Sequence, residues 1–308
     1  MTATVEILNF NKPNDTALDL QELVIALRDS REHSHNIRHM GRVRELPSRP
    51  TVSAIVEGLT AAMFPTHFGP TIHTDENIDF FVGNCLNAAF LQLTEQVRRS
   101  LHFDIQGDES ADSLKQKAEK ITLDFARKLP ALRAVLVSDL RAAYRGDPAA
   151  TSYSEILLCY RGMTAVIHYR LAHALHSLGV RFLARLIADV AHSTTGIDIH
   201  PGARIGESFF IDHGTGVVIG ETAIIGNNVR LYQAVTLGAI RFPAEENGAL
   251  KKGIPRHPII EDNVVIYAGA TILGRVTVGH DSVIGGNVWL TRSVPPGTNV
   301  TQAENQNS

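Results

Sequence analysis

Two residues in this chain form a candidate proton-transfer pair: Asp198, in Asp198-Ile199-His200-Pro201, and His213, in Asp212-His213-Gly214-Thr215-Gly216. An imidazole can take a proton near neutral pH. A carboxylate beside it fixes the tautomer and supports the imidazolium. Asp, His and Gly are also favoured in tight turns, so spacing alone leaves a catalytic and a corner-forming reading open. The two cysteines, Cys85 and Cys159, lie outside this stretch in apolar helical contexts. They offer no thiol carrier and are expected to be buried, inert thiols in a reducing cytoplasm. Zinc needs a converging ligand set, and His200, His213, His257 and His280 contain no closely spaced pair. His33, His35 and His39 fall on a polar helix end and read as surface residues. His168, His173, His176 and His192 have mixed helical spacing and suit packing or surface roles.

The elements that carry the Asp/His pair follow from a period of six. An aliphatic residue recurs at Ile199, Ile205, Ile211 and Val217; after a two-residue slip, at Ile219, Ile225, Leu231 and Leu237; and finally at Ile260, Ile266, Ile272, Val278, Ile284 and Leu290. An α-helix wants spacings of three and four, and an amphipathic strand a spacing of two. A spacing of six is the mark of hexapeptide-repeat parallel β-helices, whose stacked turns bury one aliphatic per short strand. Four residues after each aliphatic a small or β-branched side chain fits a tight corner, as at Ala203, Thr215, Ala223, Val229, Val235, Val264 and Ala270. Phe209 and Arg241 break that rule. About three units per triangular turn predict four to five coils. Ala239 to Pro258 loses the period and carries Pro243, Gly248, Gly253 and Pro255, so residues 239–258 are expected to protrude as a functional loop.

Before the repeat, the pattern is helical. Segments are expected from Thr16 to His33, up to Met63, over 76–103, from Ser110 to Leu129, from Ala131 to Tyr144, from Ser154 to Ser177 and from Val180 to His192. Pro65 and Pro70 should bracket a loop, and the apolar stripe of the third segment includes Phe80, Phe81, Leu86, Phe90, Leu93 and Val97. The expected organisation is an all-α domain over 1–195, a β-helix over 196–296 and a polar, disordered tail over 297–308.

The 308 residues suit about two domains. A net charge of −3 does not mark a nucleic-acid binder. The amino terminus lacks a basic start followed by an apolar run, and no uncharged apolar stretch reaches the length of a membrane span, so neither secretion nor membrane insertion is expected.

The run DIHPGARIGESFFIDHGTGVVIGETAIIG, followed by LYQAVTLG, RHPII and AGATILG, closely resembles the serine acetyltransferases that begin cysteine biosynthesis. Similarity covers roughly Asp147 to Pro296, including GDPAATSYSEILLCYRGMTAVIHYRLAHAL, and the longer amino terminus resembles the longer bacterial members. The resemblance implies a left-handed β-helix, a homotrimer with active sites between neighbouring subunits, and pairing of trimers through the helical domain. It implies acetyl transfer from acetyl-CoA to L-serine, with acetyl-CoA as co-substrate and no permanently bound cofactor. It makes His213 the general base and Asp198 the residue that orients it. Asp147 and Asp212 would hold the substrate ammonium and Arg256 its carboxylate, a partner suited to a guanidinium fork. His257 would contact the substrate and the developing oxyanion. Gly238, Ala268 and Gly269 would line the coenzyme A groove.

Some features depart from the family. Lys251 and Lys252 have no secure counterpart, and could meet the 3′-phosphate of coenzyme A or remain a solvated charge pair. Relatives often end in an isoleucine that docks into O-acetylserine sulfhydrylase. This chain ends Gln306-Asn307-Ser308, so the resemblance does not carry that complex over. Cysteine inhibition, common in the family, uses the serine pocket and partly the tail. The competing activities are acetyl transfer to a sugar or homoserine-like hydroxyl, and hydration by zinc as in γ-class carbonic anhydrases, which need a His-x-x-x-x-His pair absent from the repeat.

Overall fold

The structure, a computed structural model, describes residues 19–38, 44–70, 74–104, 109–240, 251 and 253–302. His39, Lys252, most of the 239–258 loop and residues 303–308 lie outside the described residues. The chain divides into two compact units, 1–45 and 46–308. The first contains α1 (Leu20–Asp29), which runs into a π-helical turn, Ser30–Ser34. The Asp19 carboxylate caps α1 by accepting from the Gln21 N–H at 2.8 Å. No side chain of α1 is buried.

The second unit begins with eight helices: α2 (Arg49–Met63), α3 (Pro65–Phe68), α4 (Asp75–Asp104), α5 (Ala111–Ala126), α6 (Leu129–Gly146), α7 (Tyr153–Cys159), α8 (Arg161–Ser177) and α9 (Arg181–Thr195). Ser48, Ser110 and Ser152 cap α2, α5 and α7 through their hydroxyls. Several expectations need correcting. Pro65 opens a short helix, and Pro130 sits in the first turn of α6, where its missing N–H costs nothing. The first buried residue of the 30-residue α4 is Ala89, and Phe80 is exposed. The helix expected over 154–177 is broken at Tyr160, which leaves helical geometry at φ −81°, ψ 116°. The turn lets Tyr160 reach Asp147 and brings Gly162 against Ile211, where a Cβ would lie 2.0 Å from the Ile211 carbonyl oxygen.

Among the described residues fourteen strands of two or three residues follow, from β1 (Asp198–Ile199) to β14 (Asn299–Val300). They stack in three parallel sheets. One face is β1-β4-β7-β10-β13, the second β2-β5-β8-β11 and the third β3-β6-β9-β12-β14. The aliphatic beat is the inner column: Ile199 aligns with Ile219, Ile219 with Leu237, Leu237 with Ile272 and Ile272 with Leu290. Most members are at or near zero exposure. Each buried aliphatic contributes about 1.5–3 kcal/mol relative to exposure, so the column is a large share of what holds the coil together.

Corners are sharp because the residue before the small corner side chain takes left-handed geometry, as at Asn228, Ala234, Asn263, Asp281 and Asn287. The corner after β3 (Phe210–Ile211) differs. It holds two extra residues before β4 (Val218–Ile219), with positive φ at His213, Gly214 and Gly216. Thr215, expected as its packed corner residue, is exposed, and buried Val217 takes that place. The tail is also shorter than expected from sequence: Asn299–Val300 pairs with β12, and Val300 is buried.

One hydrophobic cluster runs from the helices into the column. The buried Asp139–Arg170 pair clamps the junction. Arg170 donates to the Ile205 and Gly206 carbonyls at 2.6 Å, and Asp139 accepts the Phe209 N–H at 2.8 Å.

Candidate active site

The irregular corner carries the first polar cluster. Asp212 follows β3 directly and is buried, while the next side chain, His213, is 71% exposed. The Asp212 carboxylate lies 3.3 Å from the Arg230 guanidinium on one oxygen and 3.9 Å from His213 Nε2 on the other. Arg230 opens β6 (Arg230–Leu231), in register with Phe210, and its guanidinium stacks over the Phe210 and Tyr232 rings at 5.3 and 4.8 Å. Tyr232 stacks in turn on Tyr267, with centroids 5.0 Å apart.

Asp147 joins this cluster from the end of α6. Its carboxylate accepts from the Tyr160 hydroxyl and from the Ala149 N–H at 2.8 Å. Those two bonds, with the nearby charges of Arg230 and His213, hold its carboxyl below the usual range. The same bond to Asp147, together with burial and the neighbouring carboxylates, pushes the Tyr160 phenol well up. The site thus presents two carboxylates beside an exposed imidazole, with one phenol and one guanidinium holding them in place.

A second cluster lies at the other end of the β4 face, where β4 leads to β5 (Ile224–Ile225). The Glu221 carboxylate accepts from the Arg256 guanidinium at 2.7 Å. Burial pushes its carboxyl up, but the bond from Arg256 and the nearby His200 charge outweigh that and hold it low. His257 Nδ1 accepts the Thr222 N–H at 3.0 Å, so the neutral ring carries its hydrogen on Nε2. Burial, aided by Arg256, lowers His257 to about 4. Burial lowers His200 to about 4 as well, and its Nδ1 accepts from the Gly202 N–H at 2.9 Å. Both rings are therefore hydrogen-bond donors at neutral pH, not bases. A Cβ on Gly220 would fall 2.0 Å from the His257 ring, so only glycine lets that ring lie across the chain.

Of the residues singled out in the sequence, Asp147, Asp212 and His213 come together, and so do Arg256 and His257. The two groups do not meet within one chain. Asp198 aligns with Val218, at the exit of the corner that carries His213, but its carboxylate makes no hydrogen bond to that imidazole. Ala268 and Gly269 stand on the His213 edge: the Gly269 N–H donates to the Gln233 carbonyl, and the neighbouring Ala234 N–H to that of Thr215. Gly238 ends β7 (Thr236–Gly238) at the far side of the face, in register with Leu273. Lys251 is exposed. Sequence reasoning missed Arg230, Tyr160, Glu221 and Thr222. A charged residue on the outward position of a repeat strand was the available signal for Arg230. Nothing in the spacing pointed to Tyr160. Among the described residues no group of histidine, cysteine and carboxylate side chains could hold a metal ion. Cys159 is exposed, contrary to expectation, while Cys85 is half-buried and its thiol is pushed up by burial. Among the described residues no helix is long and apolar enough to cross a membrane.

Comparison with known proteins agrees with this geometry. Residues 81–167 match the family described as serine acetyltransferase, N-terminal, and 257–292 match the bacterial transferase hexapeptide (six repeats). A serine acetyltransferase from Synechococcus elongatus is 57% identical over 263 residues, covering 84% of this chain and 82% of its own. The solved serine acetyltransferase 1 of Entamoeba histolytica, in complex with L-cysteine, is 37% identical at a TM-score of 0.69 and covers 90% of this chain and 97% of that one. A soybean serine acetyltransferase complexed with serine is 33% identical at a TM-score of 0.52, covering 82% and 96%. The coil of these neighbours is a left-handed β-helix, and this chain shares it.

Proposed function

This chain belongs to the serine acetyltransferase family, and from that premise we propose how its residues divide the transfer of acetyl from acetyl-CoA to the L-serine hydroxyl. The observation that carries the proposal is the convergence of Asp147, Asp212 and Arg230 on the exposed imidazole of His213. Asp147 and Asp212 bind the serine ammonium. His213 removes the hydroxyl proton as the oxygen attacks the thioester carbonyl, a step in which a positioned base contributes about 10²–10⁴-fold. Asp198 orients His213 once the substrates close the corner. The oxygen–acyl bond forms, the carbon–sulfur bond breaks, and the proton held by His213 passes to the departing thiolate. O-acetyl-L-serine and coenzyme A leave, and no acetyl-enzyme forms.

Arg256 pairs with the serine carboxylate, and the His257 Nε2 hydrogen is offered to the developing oxyanion. Both belong to a neighbouring subunit's site. In one chain Arg256 and His213 lie at opposite corners of one face. A face of six residues at about 3.3 Å each spans roughly 15–20 Å, far more than serine can bridge. A trimer that sets one subunit's Arg256 corner beside the next subunit's His213 corner resolves this. The pantetheine arm lies along the groove lined by Gly238, Ala268 and Gly269. Trimers pair through the helical part, which is thus the assembly domain over 1–195, while the repeat is the catalytic domain. Cysteine, seen bound to the Entamoeba relative, competes for the same carboxylates and guanidinium. The enzyme works in the cytoplasm. Thiol release from acetyl-CoA in the presence of L-serine, threonine, homoserine or a sugar tests the acceptor. Fast release with serine alone is expected, and release only with another acceptor would contradict the proposal.

A further inference from the structure

A cavity of about 450 Å3 opens among α2, α3, α7, α8 and α9, and no residue of either polar cluster lines it. Its walls are largely apolar, with Val56, Phe68 and Ile167 among them, and its size suits a small molecule. The polar groups on the wall share one property. The Thr60 hydroxyl donates its hydrogen to the Val56 carbonyl at 2.7 Å, that of Thr164 to the Tyr160 carbonyl at 3.4 Å, and that of Thr194 to the Val190 and Ala191 carbonyls at 3.1 Å. His168 contacts the Thr164 carbonyl through Nδ1 at 2.8 Å, which requires the hydrogen on that nitrogen. Burial lowers His168, so the ring is neutral and Nε2 keeps a bare lone pair. Glu57 is exposed on α2, close enough to His168 for its charge to act on the ring, and forms no ion pair among the described residues. Of these lining hydroxyls, that of Ser53 alone has no acceptor among the described residues.

A wall whose donors are spent on its own helices offers a ligand lone pairs and one negative charge. It would leave an anion or a carbonyl ligand unsatisfied, at a cost of about 1–3 kcal/mol per buried unpaired group. We propose that this cavity binds a small ligand with an apolar body and a protonated amine, the ammonium held by Glu57 and by the lone pairs of His168 Nε2 and the threonine hydroxyls. The site is separate from the acetyl-transfer site and does not depend on the roles given to His213 or Arg256.

The test uses the full-length protein and three probes with the same number of carbons, 2-phenylethylamine, 2-phenylethanol and phenylacetate, titrated calorimetrically with saturating L-serine present to occupy the carboxylates assigned to serine. The expected result is saturable binding of the amine, one per chain, at least about tenfold tighter than either other probe. Glu57→Gln, an exposed change that leaves the fold intact, should weaken the amine at least about tenfold and leave the alcohol unchanged. Ala61→Phe should fill the space and abolish binding. Equal affinity for the three probes, no saturable binding of the amine, or unaltered amine affinity in Glu57→Gln would each overturn the proposal.

Discussion

In the proposed mechanism His213 is the residue on which the chemistry turns, and its setting suits that role. Its exposure and its left-handed backbone, φ 59°, both come from the two residues that lengthen the corner after β3. His213→Ala should lower kcat at least about a hundredfold without changing the circular dichroism spectrum, as checked by thiol release; near-normal turnover would remove it from its role. His257 and His200 are the opposite kind of histidine. Folding holds each near 4 against an ordinary value of 6.5. As pH falls from 6.5 towards 4, the unfolded chain takes up protons that the folded chain refuses, and stability declines. Tm should therefore drop over that window, and His200→Asn should flatten the drop; an unchanged slope would contradict it. Other than Glu221, the carboxylates and imidazoles of the two clusters stood out in the sequence as motifs. What each ring does was not legible there, because the tautomer of His257 is fixed by the Thr222 N–H, 35 residues away.

At the scale of elements, the six-residue beat revealed nearly every strand, since the aliphatics from Ile199 to Leu290 occupy the column, except Val217, which fills a corner. The misreadings fell where a tertiary contact overrides local pattern. Helical periodicity continues through Tyr160, yet the chain leaves the helix there to bond Asp147. The polar tail hides a last rung because Val300 is its one large aliphatic and a single residue shows no period. The clamp between helices and coil, Asp139–Arg170, was invisible because the two lie on different helices and make their key bonds to backbone groups of the coil, Arg170 to two carbonyls and Asp139 to the Phe209 N–H. Removing Arg170 leaves a buried carboxylate and two carbonyls without their partner. Arg170→Met should cost about 3–5 kcal/mol, measured by urea unfolding; a loss under 1 kcal/mol would show the clamp to be incidental. Gly220→Ala should displace His257 and lower kcat while leaving Tm nearly unchanged. A normal rate in that variant would mean that the ring position is unimportant.

For the whole molecule, the proposed mechanism divides the site between two polar clusters at opposite corners of one face of the prism, and on that proposal a subunit boundary brings them together. The six-residue period could not imply this, since it fixes what stacks along the coil but not what faces a neighbour; only the family resemblance pointed to a site between subunits. Core truncation should act on the whole assembly: Ile266→Ala, deep in the column, should cost about 2–5 kcal/mol and lower the unfolding temperature of the complete particle. The central claim is that His213 and Arg256 serve one serine from two different subunits. Its direct measurement is serine-dependent thiol release by particles co-assembled from equal amounts of His213→Ala and Arg256→Ala chains, each inactive alone. Random trimers of the two would carry an intact site at one boundary in most particles, returning about a quarter of wild-type activity. Activity no higher than that of either variant alone, in trimers proven to be mixed, would contradict the shared site.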